Sequence, residues 1–239
     1  MDLAHVYREA EPLYPFATGT IAALAPYGFN ADNTLSIVGV CRDELMFSAE
    51  HALHDVWGAA FDMSSLAGMV LLGRSGLAAA AHHAPGDDGR RRFVIVVMPH
   101  IGLLADGTVG HVLREGQDVP STACGALVGL LAQMRAGQFT NALDWDDVEM
   151  SVVATILGRR LDHADGAAAL DLWTLTDLAR QTASAEIMRL AHELLEDEDT
   201  DVALFSGVLI HGPDGDRVHL AEASLWRGAE RPPVARSLP

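Results

Sequence analysis

The chain changes its pattern of apolar and polar positions several times, and each change predicts an element. Residues 34–41, TLSIVGVC, are apolar and β-branched almost throughout. A run without polar alternation suits a strand buried on both faces of a parallel or mixed sheet. RRFVIVVMPH, residues 91–100, repeats the pattern and ends in a potential ligand, His100. Helical spacing marks the segments between these runs: ELMFSAEHALHDVWG (44–58), SSLAGMVLLG (64–73) and SGLAAAAHHAPG (75–86), each closed by Gly or Pro-Gly. The last is small and apolar enough to predict packing inside.

After His100, Asp106-Gly107 marks a hairpin turn. In STACGALVGLLAQMRAG (121–137), Ser121 suits a helix cap and Gly137 a helix end, which places Cys124 in the first turn. There the helix dipole favours a thiolate. A long helix is expected within 170–199, with Ile187, Leu190, Ala191 and Leu194 at helical spacing and the acidic EDEDTD (196–201) as a solvated loop. VALFSGVLIHG (202–212) and RVHLAEASLW (217–226) read as two strands joined by GPDGD, extending the sheet. The expected fold class is α/β, a central mixed, largely parallel sheet flanked by helices. One domain spans 1–230, including a helical segment at 1–30, and RPPVARSLP (231–239) reads as a flexible tail.

A chain of 239 residues buries a sizeable core without staples. The net charge of -17 argues against nucleic acid, because only short basic clusters occur, at Arg90–Arg92 and Arg159–Arg160. No apolar run is long enough to cross a bilayer, and the N-terminus lacks the basic start and apolar centre of a secretory signal, so a cytoplasmic protein with reduced thiols is expected.

Chemistry centres on the two cysteines. In open α/β sheets ligands gather at the carboxyl ends of strands, where Cys41 and His100 fall. With Cys124 they supply two thiolates and an imidazole, a set that suits Zn2+ with a fourth position left for water. Core packing is the plainer reading for two cysteines at long spacing. Asp43, two residues beyond Cys41, can orient the attacking water if a cation keeps it ionised and off the metal, and Arg42 and Arg74 are the candidate partners. Asp43 and Glu44 equally suit a solvated helix start. His82 and His83, just before Pro85, are candidates for a proton relay or for support of a ligand, against an ordinary structural role. A cysteine nucleophile is disfavoured, since no histidine is adjacent in sequence to either cysteine and no nucleophile motif surrounds them.

The segments SIVGVCRDEL, WGAAFDMSSLAGMVLLGRSGLAAAAHHAP and VVMPHIGLLADGTVGHVLREGQDVPSTACGAL together resemble the limiting-CO2-inducible B/C protein family, the theta-type group related to beta-carbonic anhydrases. The resemblance runs from about Tyr14 to about Gly212. It implies a beta-carbonic-anhydrase-like fold, a homodimer, zinc on Cys41, His100 and Cys124, and reversible hydration of CO2 to bicarbonate and a proton. One departure stands out: where beta-carbonic anhydrases commonly carry Cys-x-Asp-x-Arg, this chain has Leu45 at the arginine position and Arg42 beside Cys41. The competing expectation is a catalytically inactive zinc protein that binds bicarbonate or a protein partner in carbon-concentrating physiology. The apolar, glycine-containing residues around 57–80 exceed what one sheet face needs, which adds to the expectation of a homodimer.

Overall fold

The structure, a computed structural model, describes residues 2–58, 60–71, 73–86, 89–140, 142–161, 170–195, 197–228 and 236–237. Its helices are α1 (Leu3–Glu9), α2 (Leu13–Leu24), α3 (Phe47–Trp57), α4 (Gly73–Ala81), α5 (Gly125–Arg135), α6 (Val148–Leu161) and α7 (Leu172–Leu195). Its strands are β1 (Glu11–Pro12), β2 (Thr34–Val40), β3 (Ala60–Asp62), β4 (Arg91–Met98), β5 (His100–Gly102), β6 (His111–Val112), β7 (Ser121–Thr122), β8 (Thr200–Gly212), β9 (Gly215–Arg227) and β10 (Arg236–Ser237).

The two apolar runs become neighbouring parallel strands, β2 and β4, paired from Thr34–Arg92 to Val40–Met98. They lie inside a sheet of order β1-β9-β8-β4-β2-β3, with β5 and β10 pairing β8 and β9. Contacts among β3, β2, β4, β8 and β5 are parallel, and those of β9 with β8, β1 and β10 are antiparallel. The sheet is therefore mixed and largely parallel, as the unbroken apolar runs imply.

Side-chain alternation along β4 explains why both faces are apolar. Phe93, Ile95 and Val97 share a core with Leu77 and Ala80 of α4 and Ile187 and Leu190 of α7. Val94, Val96 and Met98 belong to the opposite core, with Phe16 of α2, Leu53 of α3, Leu127 of α5 and Val153 of α6. Each such buried side chain contributes about 1.5–3 kcal/mol.

Several local expectations change. SSLAGMVLLG has helical spacing but forms only a short 3-10 turn at Leu66–Gly68, with positive φ at Ala67, Gly68 and Val70. Its backbone instead follows the ends of the strands: Met63 and Ser65 N–H groups donate to the Val38 and Val40 carbonyls at 2.8 and 3.0 Å. Gly68 allows the closest approach, since a Cβ there would lie 3.1 Å from Pro99 backbone atoms. The apolar side chains Met63, Ala67, Met69 and Val70 are buried within this chain. The segment read as packed helix forms α4, which buries Leu77 and Ala80 and exposes Arg74, Ser75 and Ala79.

The acidic loop is likewise shorter than its composition suggests. Thr200 and Asp201 already belong to β8, and Asp201 is fully buried against Arg90 and Arg227 at 2.5 and 3.5 Å. Of the tail, Arg236 and Ser237 pair with β9, while 231–235 and 238–239 lie outside the described residues. Among the described residues no helix is long and apolar enough to cross a membrane.

Candidate metal centre

Cys41 follows the last residue of β2, and His100 follows Met98 and Pro99 at the end of β4. Cys124 arrives through the backbone. Gly110 N–H donates to Gly102 O at 2.7 Å, and Ala123 N–H donates to Gly110 O at 2.9 Å, which anchors the residue before Cys124 beside β5. Ser121 lies in β7, so the helix cap is Cys124 itself, in the left-handed region at φ 56. A non-glycine residue rarely holds that conformation, and such backbone strain clusters at functional sites.

The ligand atoms of Cys41, His100 and Cys124 lie within 4.8 Å of one another, and all three residues are buried. The cysteines form no disulfide. A hydrogen bond from the Cys124 thiol is the largest influence on Cys41, and with His100 it holds the Cys41 thiol down to about 4 against burial. The Cys41 thiolate and burial push Cys124 up. His100 Nε2 is buried with no hydrogen-bond partner. An orphaned buried nitrogen costs about 1–3 kcal/mol, and a metal ion removes that cost. Two sulfurs and one imidazole nitrogen fit zinc, with one position left for water.

Asp43 stands beside His100. Its Oδ2 is 3.7 Å from His100 Nε2, and its Oδ1 accepts from Leu45 N–H at 3.2 Å as the cap of a short 3-10 turn. Asp43 thus caps the turn, as the helix-start reading of RDE expects, while its other oxygen faces His100. Burial and the adjoining Glu44 raise the Asp43 carboxyl above its ordinary value. The cation beside it is Arg114, whose Nη2 is 3.4 Å from Oδ1. Arg114 also donates to Glu44 Oε1 at 2.5 Å, Ser121 Oγ at 2.5 Å and Thr122 O at 3.0 Å. The Arg114 hydrogen bond holds Glu44 down to about 2.

The arginines proposed from sequence lie elsewhere. Arg42 points out to Glu149, 3.4 Å away, because the residue next to a buried strand-end ligand faces the other way. Arg74 pairs with Glu193. His82 and His83 are exposed beyond the end of α4, and His83 lies against the Phe61 ring at 6.1 Å. Among the described residues no hydrogen bond links either histidine to the cysteines within one chain.

Sequence reasoning passed over a further histidine. His211 ends the apolar run of β8, and its Nε2 lies 2.9 Å from His100 Nδ1. Its Nδ1 is 2.8 Å from Asp216 Oδ1, and Asp216 Oδ2 accepts from Ser48 Oγ at 2.5 Å. Burial pushes Asp216 up, but the hydrogen bonds from His211 and Ser48 outweigh it and leave the carboxyl below its ordinary value. The rule that singled out Cys41 and His100, an apolar strand ending in a reactive side chain, applies equally to VLIHG. These residues border a cleft of about 1230 Å³ whose wall includes Glu44, Leu45, Ser48, His211 and Asp216.

A largely parallel sheet with a buried Cys-His-Cys group, two of its members at strand ends and one at a helix start, defines a beta-carbonic-anhydrase-like class. The profile of the family described as limiting CO2-inducible proteins B/C, beta carbonic anhydrases, matches residues 12–225, and the chain belongs to that family. Among solved structures it is similar to limiting CO2-inducible protein LCIB, with a TM-score of 0.81 and 24% identity over 98% of this chain and 97% of that one. It is also similar to PtLCIB4, a homolog of LCIB, with a TM-score of 0.80 and 22% identity over 99% of this chain and 98% of that one. No curated protein sequence matches the chain.

Proposed function

We propose that this protein is a zinc-dependent carbonic anhydrase that interconverts CO2 and bicarbonate. The observation that carries the reading is the orphaned Nε2 of His100, grouped with two buried thiols and faced by the carboxylate of Asp43. Cys41, His100 and Cys124 would hold the ion, whose Lewis acidity makes water a nucleophile near neutral pH. Asp43 would accept the hydrogen bond of the attacking water at Oδ2, and Arg114 holds the other carboxylate oxygen at 3.4 Å. Burial of the ligands excludes bulk water and strengthens each of these interactions.

The test is oxygen-isotope exchange between labelled bicarbonate and water, on protein whose zinc content has been measured. Exchange far above the uncatalysed rate supports the reading. Zinc-loaded protein without exchange contradicts it.

One observation favours a second reading, a zinc protein without turnover that binds bicarbonate or a partner. Asp43 Oδ2 already points at the ligand atom of His100, and a carboxylate taking the fourth position closes the site. A homodimer in the cytoplasm completes the proposal. Its support is a group of exposed apolar side chains, with Tyr14 and Leu113 on the cleft wall and Phe47 beside Ser48. Light scattering at micromolar concentration should give the mass of two chains.

A further inference from the structure

We infer that His211 and Asp216 are positioning residues of the metal centre, fixing the proton of His100 on Nδ1 so that the Nε2 lone pair faces the ion. This rests on the metal reading above. A neutral imidazole has one N–H, and the partner of one nitrogen decides whether the other can bind metal. Asp216, an ionised carboxylate, can only accept. His211 Nδ1 lies 2.8 Å from Asp216 Oδ1 and must therefore donate to it. Neutral His211 is then left with a lone pair on Nε2. That lone pair lies 2.9 Å from His100 Nδ1, which must carry the proton. With both imidazoles neutral, this is the arrangement that satisfies both bonds, and it leaves His100 Nε2 bare, buried and with no hydrogen-bond partner.

The frame around this chain of bonds is built to hold it. His211 and Asp216 are register partners across the β8–β9 hairpin, two residues from its tip. Tyr7 of α1 clamps that tip: its hydroxyl donates to Gly215 O at 2.9 Å and accepts from Asp214 N–H at 3.1 Å. The Tyr7 ring fills the space a Cβ on Gly212 would occupy. Ser48 of α3 fixes the second oxygen of Asp216 at 2.5 Å. The carboxylate is thereby held from both the hairpin and the helix that follows Asp43. Groups that support a metal-bound histidine in this way raise metal affinity about 10–100-fold.

The experiment measures zinc affinity of the full chain by competition with a chromophoric chelator, and records the visible spectrum of the cobalt form. His211→Ala should bind zinc about 10–100-fold more weakly. His211→Gln puts an amide oxygen near the former Nε2, can still accept from His100, and should retain affinity within a few-fold of wild type. Asp216→Ala, at a half-buried position, frees His211 to flip its proton and should weaken zinc binding and alter the cobalt spectrum while circular dichroism stays native. It also serves if His211→Ala fails to fold. Wild-type affinity and an unchanged cobalt spectrum in both alanine variants would overturn the inference, as would equal losses in His211→Ala and His211→Gln, which signal packing alone. A wild type that binds no zinc defeats the underlying metal reading instead, and the inference falls with it.

Discussion

The guanidinium of Arg114 reaches Asp43 from 71 residues further along the chain, with Nη2 3.4 Å from Oδ1. The Cys-x-Asp-x-Arg pattern places a cation close in sequence to the aspartate, whereas the cation beside Asp43 in this chain is Arg114. Here Leu45 stands at that position, and its backbone N–H, not its side chain, serves Asp43.

Arg114→Ala should therefore lower CO2 hydration by about 10²-fold, the low end for a positioned proton acceptor, while zinc content stays near one per chain. Arg114→Lys should recover little, because an ammonium cannot bridge Asp43, Glu44 and the Ser121–Thr122 strand together. Stopped-flow rates with metal analysis check both variants. Full activity in Arg114→Ala would remove the arginine from the mechanism.

Metal removal should be felt in stability. With free zinc at about 1,000 times Kd, binding adds about 4 kcal/mol, so excess chelator should lower Tm by about 10 °C in a chain of this length. Cys41→Ser should lose zinc and show the lower Tm from the outset. A melting curve indifferent to chelator contradicts the site.

Asp216 makes the stability depend on acid. Burial raises the Asp216 carboxyl, but the hydrogen bonds from His211 and Ser48 leave its folded value below the ordinary carboxylate value. The stabilisation is complete above about pH 4, the unfolded value, and is lost as pH falls through the folded one. The denaturation gap between wild type and Asp216→Asn should thus hold steady down to about pH 5 and close below about pH 4. A gap that widens on acidification would reverse the sign of the argument.

What the sequence revealed depended on the range of the interaction. TLSIVGVC and RRFVIVVMPH announce buried strands because every position is apolar, and their reactive ends follow from sheet topology. SSLAGMVLLG misled because its spacing is helical, while its backbone answers to distant partners, Val40 and Pro99. Arg114 carries no local signal at all: it sits between the short strands β6 and β7, and only the fold brings it to Asp43. His211 was legible by the strand-end rule, but its role depends on Asp216 across a hairpin whose register the pattern alone does not fix.

The most direct test of the account compares CO2 hydration by wild type and Asp43→Ala in a stopped-flow indicator assay, both proteins carrying one zinc per chain. The account predicts rapid hydration by wild type and a loss of about 10²–10⁴-fold without the carboxylate. Equal rates in the two proteins, or no hydration by zinc-loaded wild type between about pH 7 and 9, where water on zinc is expected to ionise, would contradict it.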